Sequence, residues 1–225
     1  EKTEADVAEV ARAVGMDSRV GQKFLNASIG FGGSCFKKDI LNLVYLCRSY
    51  GLDAVADYWE SVVRINEYQQ DRFILNMLKA MFNTLAGKRI CLFGFAFKAN
   101  TGDTRESPAI TITRRLLEEQ AEVIITDPQA LANARIDLAP LMAAPAGTKN
   151  RVSFIEDPCE AARGCDAIAV MTEWQLYRSL DYERIYRSMT KPAFLFDGRN
   201  ILNHRACFDI GFNVYPIGKP PLTHF

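Results

Sequence analysis

Histidine is scarce in this chain: 225 residues carry two, His204 and His224, and neither stands at metal-ligand spacing. Histidine-based zinc sites, and hydrolases that pair a cysteine with a histidine, therefore lack their parts, and no metal is expected. Net charge is lacking too, because 27 Lys and Arg balance 27 Asp and Glu with no long basic run. Nucleic acid and anionic membrane surfaces are poor partners for such a chain. No apolar run reaches membrane-spanning length. The six cysteines (35, 47, 91, 159, 165 and 207) show no C-x-x-C spacing and have mainly apolar neighbours. That usage reads as a reduced, cytoplasmic protein and not as a disulfide framework. Missing as well is any G-x-G-x-x-G at the end of an opening strand, the usual dinucleotide fingerprint. With Glu1 in first place, the expectation is a fragment whose dinucleotide-binding unit lies in preceding sequence.

What is present centres on Ile29–Asp39. Gly30, Gly32 and Gly33 fall within four residues and allow a tight turn and a close backbone approach to a ligand. Ser34 stands where a helix N-cap belongs, which puts Cys35 in the first helical turn. Free backbone N–H groups and the helix dipole there favour an anion, and the thiolate is the nucleophilic form of cysteine. Asp39 lies one turn further along the same face, with Lys37 and Lys38 adding positive charge. Most cysteines are small core fillers. The glycines, the cap and the Asp39 spacing together favour a covalent active site over that reading.

Along the chain, residues 4–14 have helical periodicity, with Gly15 as a C′ residue ending the helix. A loop leads to the glycine turn, and the helix of Cys35 stops at Tyr50-Gly51. From Asp53 to Phe82 neither proline nor glycine interrupts, and apolar residues cover more circumference than one surface helix needs. Two helices broken near Glu67–Asp71 would satisfy the pattern; one long helix is favoured. Thr84–Lys88 reads as a linker. Beyond it, strands are expected at 89–97, 122–126, 152–155, 167–171, 193–196 and 212–215. Helices are expected at 105–120, 158–163 and 181–189, with 129–150 weakly patterned. Alternating strands and helices of this kind give a doubly wound, mainly parallel α/β sheet. The organisation is a helical part over 1–86 followed by a Rossmann-like part over 87–225. Ligands on such sheets sit beyond the carboxyl ends of the strands.

The run Gly-Phe-Gly-Gly-Ser-Cys-Phe-Lys-Lys-Asp39, preceded by Phe24-Leu25-Asn26, resembles the catalytic segment of the UDP-glucose/GDP-mannose dehydrogenase family. Two more stretches are similar to signatures of the same family in the same order: Gly94–Pro108, and Phe194-Leu-Phe-Asp-Gly-Arg199. The resemblance spans nearly the whole chain. It implies oxidation of the C6 hydroxyl of UDP-glucose to a carboxylate with two NAD+, through a thiohemiacetal and a thioester on the cysteine. It assigns catalysis to Cys35 and Asp39, with Asp39 orienting water and handling protons. It implies UDP-sugar contacts at Phe24, Leu25, Asn26, Ser28, Phe31, Gly32, Phe97, Lys98 and Arg199. Arg19 would reach the substrate of a neighbouring subunit across a dimer built on the long helix. Lys38 and Arg105 would meet an NAD held mainly by an N-terminal domain outside this sequence. Asn26 stands where some members of the family carry lysine.

By residue type alone, Phe24 and Phe31 suit a core role or stacking on a uracil ring. Lys98 and Arg105 read without the resemblance as solvated side chains, and Arg199 is a planar fork suited to phosphate or sugar oxygens. Trp174 reads as structural. A relative acting on GDP-mannose or a UDP-amino sugar is a second hypothesis, although Thr101-Gly-Asp-Thr-Arg-Glu106 looks more like the UDP-glucose branch. A third, a nucleotide-sugar-binding scaffold without catalysis, sits poorly with Cys35 and Asp39 together.

Overall fold

The computed structural model describes residues 1–142 and 151–225; the end of the weakly patterned 129–150 stretch falls outside them. Helix α1 (Val7–Gly15) is capped by Asp6, whose carboxylate accepts the Ala8 N–H at 2.7 Å. Gly15 is the last residue of this helix and not a left-handed residue beyond it. Packing explains the glycine, since a Cβ there would lie 2.7 Å from the Gln22 side chain. Helix α2 (Phe36–Ser49) is followed by α3 (Asp53–Ala80), a single unbroken helix of 28 residues. At 1.5 Å per residue it is about 42 Å long.

The sequence of α3 covers its whole circumference because the helix serves two cores. Ala56 and Val63 pack with Ile40, Val44 and Cys47 of α2, whereas Phe73, Ile74, Met77 and the following Met81 join the core of the sheet. The polar stretch between them does not break the helix. Phe82 and Asn83, both with positive φ, end it. Leu85, inside the expected linker, is fully buried.

The sheet part runs β1 (Arg89–Phe93), α4 (Pro108–Glu118), β2 (Glu122–Thr126), α5 (Leu131–Met142), β3 (Val152–Phe154), α6 (Pro158–Ala161), β4 (Ala167–Val170), α7 (Gln175–Arg178), α8 (Tyr182–Ser188), β5 (Phe194–Asp197), α9 (His204–Ile210) and β6 (Asn213–Pro216). The six strands are all parallel in the order 3-2-1-4-5-6, with Cys91 of β1 opposite Ile124 and Ile168. The chain is thus α/β and doubly wound, with apolar clusters on both faces of the sheet, as the near-continuous apolar strands require.

Several boundaries differ from expectation. β1 stops at Phe93, four residues early, because Gly94 turns the chain at φ +99°. A Cβ on Gly94 would meet Thr172 at 2.4 Å. The next amides leave the ladder for a carboxylate: Phe95 and Ala96 donate to Asp127 Oδ2 at 2.7 and 3.1 Å. α4 begins at Pro108 and not at Arg105, since Glu106 has φ +53° and Ser107 is the N-cap. α5 continues through Pro140, and α7 and α9 are additional to the expected helices. Trp174 is structural as read: it is buried and donates its indole N–H to Asp127 at 3.1 Å.

Candidate functional site

The strand order reverses between β1 and β4, and open parallel sheets bind ligands outside the carboxyl ends of their strands at such a switch point. A cleft of about 960 Å³ lies there. Its sheet side carries Lys98 after β1, Glu173 and Arg178 after β4, and Arg199 after β5. Its other side is the segment leading into the glycine turn, with Lys23, Phe24, Asn26 and Ser28, and Phe31 within the turn. Its lining carries four cations against one carboxylate, an excess of positive charge.

The glycine segment is held against α3 and the loops of the sheet by four devices. Ile29 is fully buried beside Gly198, where a Cβ would lie 2.7 Å from the Ile29 side chain. Asn66 of α3 pairs with the backbone of Phe31 as a neighbouring strand would. Its Oδ1 accepts the Phe31 N–H at 2.8 Å, and its Nδ2 donates to the Phe31 carbonyl at 3.3 Å. One turn on, Gln69 donates to the Ser28 carbonyl at 2.9 Å. Gly33 then donates its N–H to the Arg105 carbonyl at 2.9 Å. Cβ atoms on Gly32 and Gly33 would come 2.5 Å from the Glu106 carbonyl oxygen and 3.0 Å from the Phe97 ring. The close approach these two glycines allow is therefore to protein, where the sequence suggested a ligand.

Cys35 is the N-cap residue of α2, one position earlier than its sequence suggested, and no side chain caps that helix end. The Ser34 hydroxyl lies 3.7 Å from its sulfur. Asp39 is one turn on, donating its backbone N–H to the Cys35 carbonyl at 2.8 Å, and its exposed carboxylate pairs with Lys38 at 3.7 Å. Arg105 holds Asp103 in a fork of hydrogen bonds, the shortest 2.6 Å. The Asp103 carboxylate beside it raises the pKa of Arg105.

Of the residues singled out by sequence, the cleft brings together Phe24, Asn26, Ser28, Phe31, Lys98 and Arg199. Leu25 lines a smaller neighbouring pocket with Asn26 and Asn200. Phe97 packs under the glycine turn, with the Lys98 ammonium 5.3 Å from its ring centroid. Cys35, Asp39, Lys38 and Arg105 lie outside the cleft on an exposed face, and Arg19 is 87% exposed and paired with Asp17. Sequence reasoning missed Lys23, Asn66, Gln69, Glu173, Arg178 and Asn200. For Asn66 and Gln69 the signal was their i, i+3 spacing on a helix with no apolar reason for it; lone surface charges such as Glu173 gave none.

Native-state alkylation separates Cys35 from the four buried thiols by access. Cys35 is exposed, whereas Cys47, Cys91, Cys165 and Cys207 are buried. Burial also pushes the Cys91 thiol well up, and the Cys207 thiol to about 12. Brief iodoacetamide treatment followed by peptide mass spectrometry is expected to modify Cys35 first, and Cys91 and Cys207 only after unfolding. Early labelling of Cys91 would contradict this packing.

Residues 1–68 match the UDP-glucose/GDP-mannose dehydrogenase family, central domain, and residues 91–204 match the UDP binding domain of the same family. The chain is 53% identical to UDP-glucose 6-dehydrogenase 1 of Oryza sativa subsp. japonica, over 98% of this chain and 48% of that protein. It is 51% identical to UDP-glucose 6-dehydrogenase of Drosophila melanogaster, over 97% of this chain and 47% of that protein. The chain spans about half the length of the curated relatives it matches. A solved UDP-glucose dehydrogenase from the hyperthermophilic archaeon Pyrobaculum islandicum superposes with a TM-score of 0.78 at 30% identity, over 98% of this chain and 45% of that one.

Proposed function

Since the chain belongs to the UDP-glucose/GDP-mannose dehydrogenase family, we propose that it is the central and UDP-sugar-binding portion of a UDP-glucose 6-dehydrogenase. The observation that carries this reading is the cationic cleft at the strand switch point, one glycine turn away from an exposed cysteine at a helix start. The division is a helical part over 1–86, bearing the thiol, and a UDP-sugar part over 87–225. Lys98 and Arg199 take the diphosphate, Phe24 and Phe31 the uracil ring, and Asn26 and Ser28 offer polar groups to the nucleotide. Leu25, Gly32 and Phe97 support the cleft from outside its lining, Leu25 in the neighbouring pocket and Phe97 packed against the glycine turn.

Cys35 Sγ adds to the C6 aldehyde carbon of the partly oxidised sugar, forming the C–S bond while the carbonyl electron pair moves to oxygen, which takes a proton. Water later attacks the thioester carbon, the C–S bond breaks, and the thiol is regenerated as the carboxylate leaves. Asp39 orients that water and handles its proton. NAD, when bound, takes up the two hydrides, so that the alcohol, two NAD+ and water become the carboxylate, two NADH and three protons. Lys38 and Arg105 suit a cofactor approaching from outside, because both side chains are exposed on the face that bears Cys35. Among the described residues no helix is long and apolar enough to cross a membrane. Six free thiols suit a cytoplasmic location. Calorimetry tests the substrate assignment: UDP and UDP-glucose are expected to bind and GDP-mannose much more weakly, and the reverse order would overturn it.

Assembly is part of the proposal. Leu41, Tyr45, Val55, Tyr58, Ile65 and Tyr68 on α2 and α3 leave apolar surface in solvent, and a second copy laid on the long helix would cover it. In that dimer Arg19 extends to the neighbour's cleft. Light scattering is expected to give twice the chain mass of 25.3 kDa. A clean monomer at micromolar concentration would remove both the dimer and the reach of Arg19.

A further inference from the structure

We infer that Glu173 is a positioning residue of the diphosphate subsite, holding the Arg199 guanidinium in the orientation that meets phosphate. The inference rests on the UDP-sugar reading of the cleft and extends it to the one carboxylate that lines it. A carboxylate facing a diphosphate is repulsive by itself, so its place there needs a compensating role. The geometry supplies one. Glu173 follows β4 and uses both oxygens: Oε1 accepts the Ala99 N–H at 3.3 Å, and Oε2 is ion-paired and hydrogen-bonded to Arg199 Nη2. Ala99 adjoins Lys98, so one side chain ties together the segments that carry the two cations assigned to phosphate.

Arg199 is fixed from its other end as well. Its backbone N–H donates to Asp197 Oδ1 at 3.0 Å, and Asp197, fully buried, also accepts from Ile201 and Leu202 at 2.9 Å each. The stem of Arg199 is locked by backbone and the tip by Glu173, leaving a side chain only 16% exposed. Guanidinium has five N–H donors in a rigid plane, so one bond to Glu173 leaves donors free for the cleft and sets the plane in which they point. The loops of β1 and β4 are joined once more nearby, where the Thr172 hydroxyl donates to the Ala96 carbonyl at 2.6 Å. Positioning by Glu173 thus adds orientation to a frame that stands without it.

Two effects of Glu173 on a bound diphosphate oppose each other: orientation of Arg199 helps, and like-charge repulsion hurts. They separate in a double-mutant cycle read by calorimetry with UDP, using uridine as the probe without phosphate. R199A is expected to weaken UDP binding about ten- to hundredfold and E173A about tenfold, the scale of a charge-assisted hydrogen bond. In the R199A background the sign reverses: the orienting role is gone, repulsion outweighs the long bond to the Ala99 N–H, and adding E173A is expected to tighten UDP binding a few-fold. Uridine binding stays the same in all four proteins. Weakening by E173A in both backgrounds would make Glu173 merely structural, and tightening in both would make it merely repulsive; either overturns the inference alone. Failure of the unaltered chain to bind UDP would overturn the reading of the cleft and the inference with it. Where E173A fails to fold by circular dichroism, E173Q serves the same cycle, because an amide has one acceptor oxygen for two donors. It must then show the same reversal of sign.

Discussion

Mixed with UDP-glucose and NAD+, this 225-residue chain is expected to bind the nucleotide sugar and reduce no cofactor. The sugar side is furnished: Lys98 and Arg199 stand in the cleft, and Cys35 is exposed beside it. The cofactor side is not, since these residues contain no G-x-G-x-x-G. The two groups proposed to meet NAD are surface side chains, Arg105 being 69% exposed and bound to Asp103. Hydride transfer depends on holding both reactants in attack geometry, and losing that organisation forfeits roughly 7–11 kcal/mol of barrier lowering. The rate then falls by at least about five orders of magnitude. Absorbance at the reduced-cofactor band should stay flat while calorimetry still detects UDP. Turnover like that of an ordinary dehydrogenase would mean that the cofactor is held within these residues, and that the proposed division of labour is wrong.

Replacing Asp127 with alanine is expected to destabilise the fold by at least about 3 kcal/mol. This buried carboxylate, just beyond β2, accepts five hydrogen bonds. Oδ2 receives the N–H groups of Phe95 and Ala96 and the Trp174 indole, and Oδ1 receives Gln129 and Ala130 at 2.8 Å each. Stranding a buried donor costs about 1–3 kcal/mol, and alanine strands several of these at once. Chemical denaturation followed by tryptophan fluorescence would measure the loss. Asp127→Asn keeps one acceptor and should fall between the two. A D127A chain within about 0.5 kcal/mol of the parent, the range of an ordinary surface change, would mean that water replaces the carboxylate easily.

The site was legible where chemistry recurs along the chain and illegible where it depends on what folds beside it. From Asp53 to Phe82 the absence of a breaker favoured one long helix over two, and the apolar runs around Cys91, Ile124 and Ile168 pointed to buried parallel strands. The start of α4 could have been read from Ser107-Pro108, a cap with proline at N1, but Arg105 and Glu106 look as helical as the residues of α4 itself. α7 has four residues, too few for periodicity, and it carries Arg178 into the cleft. α9 has the better signal, an Asn203 cap accepting the Ala206 N–H, within seven helical residues. Glu173 had no legible role because its two partners, Ala99 and Arg199, are 74 residues before it and 26 after. The step of Cys35 from first turn to N-cap is a one-residue shift, the ordinary uncertainty of a helix end.

The helix α3 also decides where this polypeptide can be cut. The composition change near Gly87 invites a boundary there, yet Met77, Met81 and Leu85 on the near side are wholly enclosed by the sheet's apolar layer, as is Ile29 from the glycine segment. A piece beginning at Lys88 would strip Ile29, Phe73, Met77, Met81 and Leu85 from the apolar layer, Phe196 losing the Phe73 ring beside it, and present an adhesive face to its neighbours. The opposite piece would keep a helix whose last two turns have nothing to rest on. Helix formation is cooperative along its length, so loosening one half draws on the other. The two recognisable parts of this chain share a spine, and they are expected to melt in one transition.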